Sequence, residues 1–293
     1  MVRHVTTYRY SSLVHLGEHR GMFRPRASHD LRLVETRLDI SPAPANLRWL
    51  HDIHDNSIAI ATFDRPTTRL VFESTVTLEH YETARPDYAL ETQAQTYPFT
   101  YPADELPDLG HALLRHYPGD DVSRWAAGFL AADGSADTMT LLEEMTASIH
   151  SDFKYVRRPE KGVQRPEETW QRRAGSCRDF ALFMMEAVRS LGLAARFVSG
   201  YIFVPEGAND SMMGGGATHA WMQVYLPGAG WVDFDPTNRI VGNRNLIRVA
   251  VAWDHHNALP LWGTFVGAAG AFMGMDVSVS VREATPMKTP AGP

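Results

Sequence analysis

The first 80 residues alternate between apolar and polar side chains, and this period of two restricts what that part of the chain can form. In residues 70–79 one face carries Leu70, Phe72, Val76 and Leu78, while the other face is polar. Such alternation is typical of half-buried antiparallel strands. Similar runs occur at residues 6–10, 34–40 and 58–63. The pattern therefore predicts an antiparallel β-sandwich over residues 1–82.

The alternation ends where prolines accumulate, and a different period follows. Pro86, Pro98 and Pro102 fall within residues 83–106, which we predict to be a linker or an extended strap. Farther on, apolar residues recur at spacings of three and four, which places them on one helical face. These residues are Leu141, Leu142, Met145, Ile149 and Phe153. A second domain is therefore predicted over residues 107–293.

A helix start inside this second domain is marked by the run 175–179. Ser176 is a preferred N-cap residue, and Asp179 three positions later completes a pair that resembles a capping box. Cys177 would then be the first helical residue, and Gly192 would end the helix. Strands are predicted afterwards at residues 195–204, 217–226 and 230–235. Helices followed by antiparallel strands indicate an α+β domain.

Charge and composition exclude several classes of function. The chain carries 34 acidic and 28 basic side chains, a net charge of −6, and lacks the clustered basic face that nucleic acids require. Its single cysteine excludes an intramolecular disulfide and a zinc site with several thiolates. We therefore expect no nucleic-acid partner.

Two further features concern location. The amino terminus lacks the apolar core and cleavage site of a secretory signal, so we expect a cytoplasmic protein. Residues 259–275 are apolar but are interrupted by Pro260 and several glycines, whereas a membrane helix needs about 20 apolar residues. We interpret this stretch as a glycine-rich loop that enters a strand, and we expect no membrane partner.

Cys177 is the first candidate for chemistry. A thiol in the first turn of a helix lies among unpaired backbone N–H groups at the positive end of the helix dipole, which favours the nucleophilic thiolate. A lone cysteine can also be a small buried residue that anchors a helix start. Its position alone does not distinguish the two.

A thiolate nucleophile needs an acid-base partner, and His219 is the best placed of the 13 histidines. It begins a predicted strand, next to Gly214, Gly215 and Gly216, which could form a mobile loop at a cleft. The following strand points Asp233 and Asp235 to one face, so a carboxylate can lie beside the imidazole and hold its tautomer. The residue pattern leaves both aspartates open, and Asp235 before Pro236 is also a common turn signal.

These three segments together resemble a known family. The runs 175–180, 218–221 and 230–237, which contain Cys177, His219 and Asp235 in that order, are similar to the bacterial transglutaminase-like cysteine enzymes. Residues 22–26 and 52–63 resemble the β-domain that precedes the catalytic core in these bacterial proteins. The resemblance implies a papain/transglutaminase-like catalytic domain after the sandwich, with Cys177 as nucleophile, His219 as acid and base, and Asp235 as orienting carboxylate.

The resemblance also implies an oxyanion hole formed by the Cys177 backbone N–H and an upstream side chain. Tyr155 is our candidate donor and Trp170 the next, although both residue types are more often core aromatics. No calcium-loop pattern occurs, and the groups at residues 51–54 and 255–256 lack helical His spacing. We therefore predict solvated loop histidines, no metal and no cofactor.

Three functions remain in competition. Cys177 could attack an amide and release the acyl group to water, as a peptidase or amidase acting on a peptide or protein. The same acyl-enzyme could pass to an amine, as in a transglutaminase, or the fold could be a scaffold without turnover. We favour hydrolysis by fold-level analogy with bacterial proteolysis. The nearby acids that could attract an amine are Glu206 and Asp210, in a loop where acids are usually solvated.

Overall fold

The computed structural model describes residues 1–81, 88–158, 162–205 and 212–284, which form sixteen strands and five α-helices. The strands are β1 (Val2–Gly21), β2 (Leu31–Ser41), β3 (Asn46–His51), β4 (Ser57–Thr62), β5 (Thr67–His80), β6 (Thr96–Tyr97), β7 (Ala136–Asp137), β8 (Lys154–Tyr155), β9 (Ala174–Gly175), β10 (Ala195–Ile202), β11 (His219–Leu226), β12 (Gly230–Asp235), β13 (Ile240–Val241), β14 (Leu246–Ala252), β15 (Leu261–Val266) and β16 (Phe272–Val281). The helices are α1 (Leu106–Leu113), α2 (Asp120–Ala127), α3 (Thr138–Asp152), α4 (Pro166–Arg172) and α5 (Cys177–Ser190).

The amino-terminal part is an antiparallel β-sandwich in which the long strand β1 belongs to both sheets. The first half of β1 pairs with β5 and β16, and β2 extends this sheet beyond β5. The second half pairs with β4 and β15, and β3 extends that sheet beyond β4. Side chains such as Val14, Phe23, Leu70 and Phe72 fill the interior. The alternation of the first 80 residues thus predicted the sandwich correctly.

The last two strands depart from the predicted boundary of the second domain. Strands β15 and β16 pair with β1 and so complete the sandwich, although the sequence pattern assigned all residues from 107 to 293 to the second domain. The alternation of β15 and β16 would suit the sheet of either domain. The edges of β1 decide between them, because their unpaired backbone groups supply the hydrogen-bond partners for β15 and β16. The stretch 259–275, predicted to be a loop that enters a strand, does enter strand β16, but its first part forms strand β15 instead of a loop. Within the described residues no helix is long and apolar enough to cross a membrane.

The second domain packs helices against a five-stranded antiparallel sheet in the order β13-β12-β11-β10-β14. Helix α5 is the central element, and its apolar residues Phe180, Phe183 and Val188 are almost fully buried. It begins at Cys177 after Ser176 and ends before Gly192, as the sequence predicted. Residues 88–105 run along this domain as a strap, in which the Tyr101 hydroxyl donates to the Tyr225 carbonyl and accepts from the Ala194 N–H.

A buried ion network joins the sandwich to the second domain. The Arg248 guanidinium on β14 contacts both Asp30 carboxylate oxygens at 2.7 and 2.8 Å and Asp233 on β12 at 3.1 Å. These side chains are 16%, 11% and 4% exposed, respectively. The carboxylates are therefore largely removed from water, and they depend on Arg248 for their charge balance.

Replacing Arg248 with alanine is expected to destabilise the protein by about 3–5 kcal/mol, because two buried carboxylates lose their partner. The shift in the urea unfolding midpoint measures this loss. Arg32→Ala is the matched control, since Arg32 pairs with Glu79 at 3.3 Å on the surface and such pairs contribute about 0–1 kcal/mol. Equal midpoints for the two variants would show that the Arg248 network does not join the domains energetically.

Candidate active site

Cys177 lies at the start of α5, where the backbone of the first turn is held by a side chain. The Asp179 carboxylate accepts hydrogen bonds from the Ser176 backbone N–H and from the Ser176 hydroxyl, both at 2.8 Å. Cys177 is a free cysteine and is 6% exposed. Its own N–H belongs to the first turn, where backbone donors have no acceptor within the helix. The thiol is thus presented at a fixed, electropositive helix end.

Asp179 does more than cap this helix. The same carboxylate, fully buried, also accepts from the Gln164 backbone N–H at 2.7 Å, from Gln164 Nε2 at 3.1 Å and from Arg158 at 3.0 Å. It therefore fastens the segment before α4 to the nucleophile's helix. The sequence indicated a capping residue here, but no local pattern could indicate partners 15 and 21 residues upstream.

His219 and Asp235 meet between neighbouring strands β11 and β12. His219 Nε2 lies 2.8 Å from Asp235 Oδ2, and both side chains are fully buried. Because the carboxylate accepts from Nε2–H, the neutral ring carries its lone pair on Nδ1. Nδ1 has no hydrogen-bond partner among the described residues, and the Cys177 thiol interacts with the same ring. The nitrogen available for proton transfer with sulfur is therefore Nδ1.

The electrostatics of this pair favour charge separation. Burial opposes protonation of His219, but the Asp235 carboxylate, followed by Cys177, holds its pKa above the ordinary value. Burial also opposes ionisation of Asp235, yet His219, Asn238 and the Thr237 N–H hold the pKa of Asp235 below its usual range. An imidazolium beside an ionised carboxylate is thus the stable state of the pair.

The structure separates Asp235 from Asp233, which the sequence left open. Asp233 accepts from Trp221 Nε1 at 2.6 Å and from Gln223 Nε2 at 2.8 Å, in addition to its contact with Arg248. Burial raises the pKa of Asp233, whereas that of Asp235 is lowered. Asp233 therefore holds Trp221 and Gln223, the side chains that follow His219 on the same face of β11. Of the two aspartates, Asp235 is the one that contacts the imidazole.

Asn238 is a site residue that sequence reasoning missed. Its Nδ2 donates to Asp235 Oδ2 at 2.8 Å and to the Met213 carbonyl at 3.1 Å, while its Oδ1 accepts from the Met213 N–H at 2.6 Å. Asn238 thus ties the glycine loop before β11 to the carboxylate that bonds His219. The turn after Asp235 marked it as a loop residue, and only the fold brings it to residue 213.

Gly214 packs directly against the imidazole. A Cβ atom on Gly214 would lie 2.5 Å from His219 Nδ1, and its φ of +98° disfavours any other residue. Gly216 has a similar φ of +80°, but such a Cβ would meet no atom of another described residue within 4 Å, apart from its own chain neighbours. The two glycines therefore share a backbone requirement and differ in their contact with His219.

Gly214→Ala is expected to lower kcat/KM by at least about 100-fold, because the new methyl group displaces His219 Nδ1 by a fraction of an ångström or more. Gly216→Ala, which carries backbone strain alone, should show a much smaller loss. Steady-state kinetics and the alkylation rate of Cys177 report the difference. Equal losses in the two variants would assign the effect to loop strain instead of to contact with His219.

Tyr155 lies beside the thiol, as expected for the oxyanion candidate, and Trp170 does not. Strand β8 pairs with β9, which places Tyr155 opposite Gly175 and two residues before Cys177 in that register. Burial, followed by the charge of the Cys177 thiolate, raises the pKa of Tyr155 to about 12, so its hydroxyl remains a donor at neutral pH. Trp170 stacks on Phe183 and lies under Arg173, within the aromatic core.

A cavity of about 540 Å³ opens next to these residues. Tyr155, Arg157 and the loop 212–217 line one part of it, and Ile202 and Val204 contribute apolar side chains. The remaining wall is strand β16, through residues 279–281. The cavity therefore lies between the two domains and reaches the loop that contacts His219.

Each of the two histidine groups predicted to be solvated has one exposed ring and one buried ring, and the exposed side chains, His51 and His256, are 68% and 66% accessible to solvent. His54 is 9% exposed and His255 is 4% exposed, because each packs on an aromatic ring of the domain interface or core. Ligand atoms of Asp254, His255 and His256 lie within 4.8 Å of one another. Asp254 caps the short 3₁₀ helix His255–Ala258. Its carboxylate accepts a hydrogen bond from the His256 N–H at 3.0 Å, which gives it a structural role.

A cysteine at the start of a buried helix, facing a histidine and an aspartate on adjacent antiparallel strands, defines the class of papain-like and transglutaminase-like folds. Comparison with known families agrees with this class. Residues 128–236 match the transglutaminase-like superfamily, and residues 1–79 match the bacterial transglutaminase-like N-terminal region. The chain belongs to the transglutaminase-like superfamily and carries the N-terminal domain of its bacterial members.

Individual relatives extend the match over nearly the whole chain. A protein of Mycobacterium tuberculosis that has not been characterised is 29% identical over 96% of this chain and 91% of its own length. The protein-glutamine gamma-glutamyltransferase of Pseudomonas aeruginosa is 24% identical over 72% of this chain and 31% of its own length. The crystal structure of a proposed cysteine protease from Cytophaga hutchinsonii superposes with a TM-score of 0.69 at 18% identity, covering 98% and 92% of the two chains. This last likeness concerns the fold.

Proposed function

We propose that this protein is a cysteine peptidase or amidase that cleaves amide bonds through a thioester on Cys177. The observation that carries the proposal is the 2.8 Å contact between His219 Nε2 and Asp235, which leaves Nδ1 for the thiol at the start of α5. This arrangement has the nucleophile, the base and the orienting group that triad chemistry requires.

In the first half-reaction, the thiolate of the Cys177–His219 ion pair forms a bond from Sγ to the amide carbonyl carbon, while His219 Nδ1 keeps the proton. The negative charge on the carbonyl oxygen is stabilised by the Cys177 N–H and, in our proposal, by the Tyr155 hydroxyl. The carbon–nitrogen bond then breaks, and the leaving amine takes the proton from Nδ1. A thioester remains on Cys177.

In the second half-reaction, water attacks the thioester carbon while Nδ1 accepts one of its protons. The carbon–sulfur bond breaks, sulfur leaves as the thiolate beside the protonated imidazole, and the free acid leaves. Asp235 stays ionised throughout and stabilises the imidazolium that forms in each half-reaction. The steps require no metal or cofactor.

Amine transfer from the same thioester is the second candidate, and the glutamyltransferase of Pseudomonas aeruginosa favours it by its name. The composition of the cavity argues for water. Arg157 is the charged side chain among the described residues that line it, so a cationic amine meets no carboxylate there. Glu206 and Asp210, the acids considered from the sequence, lie outside the described residues.

A scaffold without turnover would have no need for the His219–Asp235 pair beside Cys177. The cytoplasmic location stays a prediction.

With a cleavable peptide, addition of millimolar primary amine is expected to leave most of the product as free acid, because water reaches the thioester without a dedicated binding site. Mass spectrometry of the products measures the ratio of acid to amide. A dominant amide product whose rate saturates with amine concentration would replace the hydrolase by a transferase. Cys177→Ala serves as the control for uncatalysed product.

A further inference from the structure

We propose that the free edge of β16 binds the substrate as an extended peptide strand, so that the sandwich supplies one wall of the substrate cleft. This inference rests on the proposed function and adds the substrate class: a peptide segment that is read through its main chain next to Cys177. The argument depends on where β16 lies, on which of its backbone groups face the cavity, and on what lines the opposite side.

Among the residues that the structure describes, strand β16 has one edge paired with another strand and one edge without a strand partner. The paired edge is held by β1 in continuous antiparallel register from Val2 opposite Val281 to Arg9 opposite Gly274. On the other side, residues 279–281 line the cavity. The Val279 N–H donates to the Gly216 carbonyl at 3.0 Å, so the open edge already makes one main-chain bond with the glycine loop beside His219.

The register shows which backbone groups point into the cavity. Met1 and Arg282 exchange both of their backbone hydrogen bonds, so this pair is a hydrogen-bonded pair. Hydrogen-bonded and non-hydrogen-bonded pairs alternate along antiparallel strands. Ser280 therefore bonds to β1, whereas the backbone N–H and C=O groups of Val279 and Val281 turn away from β1. The bond from Val279 to Gly216 agrees with this assignment.

The Val279 carbonyl and both backbone groups of Val281 are thus presented to the cavity at the spacing of an extended chain. Like groups two residues apart on a strand are separated by about 6.6–6.8 Å, which is the repeat of an extended peptide. Addition of a strand to a sheet edge is a general way to bind peptides, since main-chain bonds give affinity and pockets give selectivity.

The rest of the cavity suits the side chains of such a peptide. Ile202, Val204 and Met212 offer an apolar surface, and Tyr155 joins it to the thiol. Arg157 is exposed and adds positive charge to the lining. We therefore infer an extended peptide with apolar side chains that face this surface, held along β16 at residues 279–281, next to the point where the loop 212–217 bonds to Val279.

The test compares two proline substitutions on the open edge. Val281→Pro removes a backbone N–H that faces the cavity, and Met275→Pro removes an N–H of the same orientation outside the cavity lining. Proline is tolerated on edge strands where the N–H is not used by the sheet. Peptide binding is measured by titration calorimetry in the Cys177→Ala background, which needs no turnover, with apolar peptides and with copies N-methylated at single positions.

Val281→Pro is expected to weaken peptide binding at least tenfold, and Met275→Pro to change it less than twofold. On the unsubstituted edge, N-methylation at one or two peptide positions should weaken binding tenfold, a result that does not depend on how Val281→Pro folds.

Unchanged binding for both the proline variant and the methylated peptides overturns the inference, even if peptides are hydrolysed. Binding through the edge without any hydrolysis by the wild-type protein would instead contradict the proposed function alone. A dimer that Val281→Pro converts to monomer, with peptide binding unaltered, would assign the edge to a second copy.

Discussion

Cys177→Ala is expected to abolish peptide hydrolysis, with kcat falling by about 10⁴–10⁶-fold, because a thioester needs a thiol and the sequence has one cysteine. Stability should change little, since the side chain is small and forms no disulfide. Discontinuous assays with high enzyme concentration set the lower limit of the rate, and the urea midpoint reports folding. A variant that keeps more than a tenth of the wild-type rate would show that Cys177 anchors the helix and does not carry the chemistry.

Alkylation provides the matched control for this result. Iodoacetamide should modify Cys177 in the folded wild-type protein at neutral pH and faster than a free model thiol, and His219→Ala should slow the reaction, because the imidazole stabilises the thiolate. The chain has one cysteine, so mass spectrometry of the intact protein reads the modification directly. Modification that requires denaturant would mean that the 6% exposure of Cys177 makes it unreactive.

The parts of the structure that the sequence predicts are those that depend on residues close together in the chain. Alternation predicted the sandwich, and the pair Ser176 and Asp179 predicted the helix start at Cys177, because period and capping depend on residues close in sequence. The order of Cys177, His219 and Asp235 was recognisable as a family motif. Tyr155 lies beside the thiol, where the family resemblance led us to look for a donor.

The parts that sequence reasoning missed depend on contacts between distant segments. Strand β16 pairs with β1 across the full length of the chain, and its pattern contains no information about which edge it joins. Asn238 reaches Met213, and Gln164 reaches Asp179, through side-chain hydrogen bonds that only the folded loops make possible. The choice between Asp233 and Asp235 likewise required the partners of each carboxylate, since the alternation places both on one face.

Asp235→Asn is expected to lower kcat/KM by about 10³–10⁴-fold while the fold is retained, because the amide no longer holds the Nε2–H tautomer or stabilises the imidazolium. The pH dependence should change as well. Asp235 raises the pKa of His219 against the effect of burial, so removing its charge lowers that pKa. The active ion pair needs a protonated imidazole, and the alkaline limb of the kcat/KM profile should therefore move to lower pH.

Asp233→Asn is the control on the same strand face. It perturbs Trp221, Gln223 and Arg248, so a loss of stability is expected, but the alkaline limb should stay where it is in the wild type because Asp233 does not contact the imidazole. Profiles of kcat/KM from pH 5 to 10 for the three proteins separate the two roles. If the alkaline limb moved in Asp233→Asn and not in Asp235→Asn, Asp233 would be the carboxylate that controls His219, and the geometry between β11 and β12 would have to rearrange in the active state.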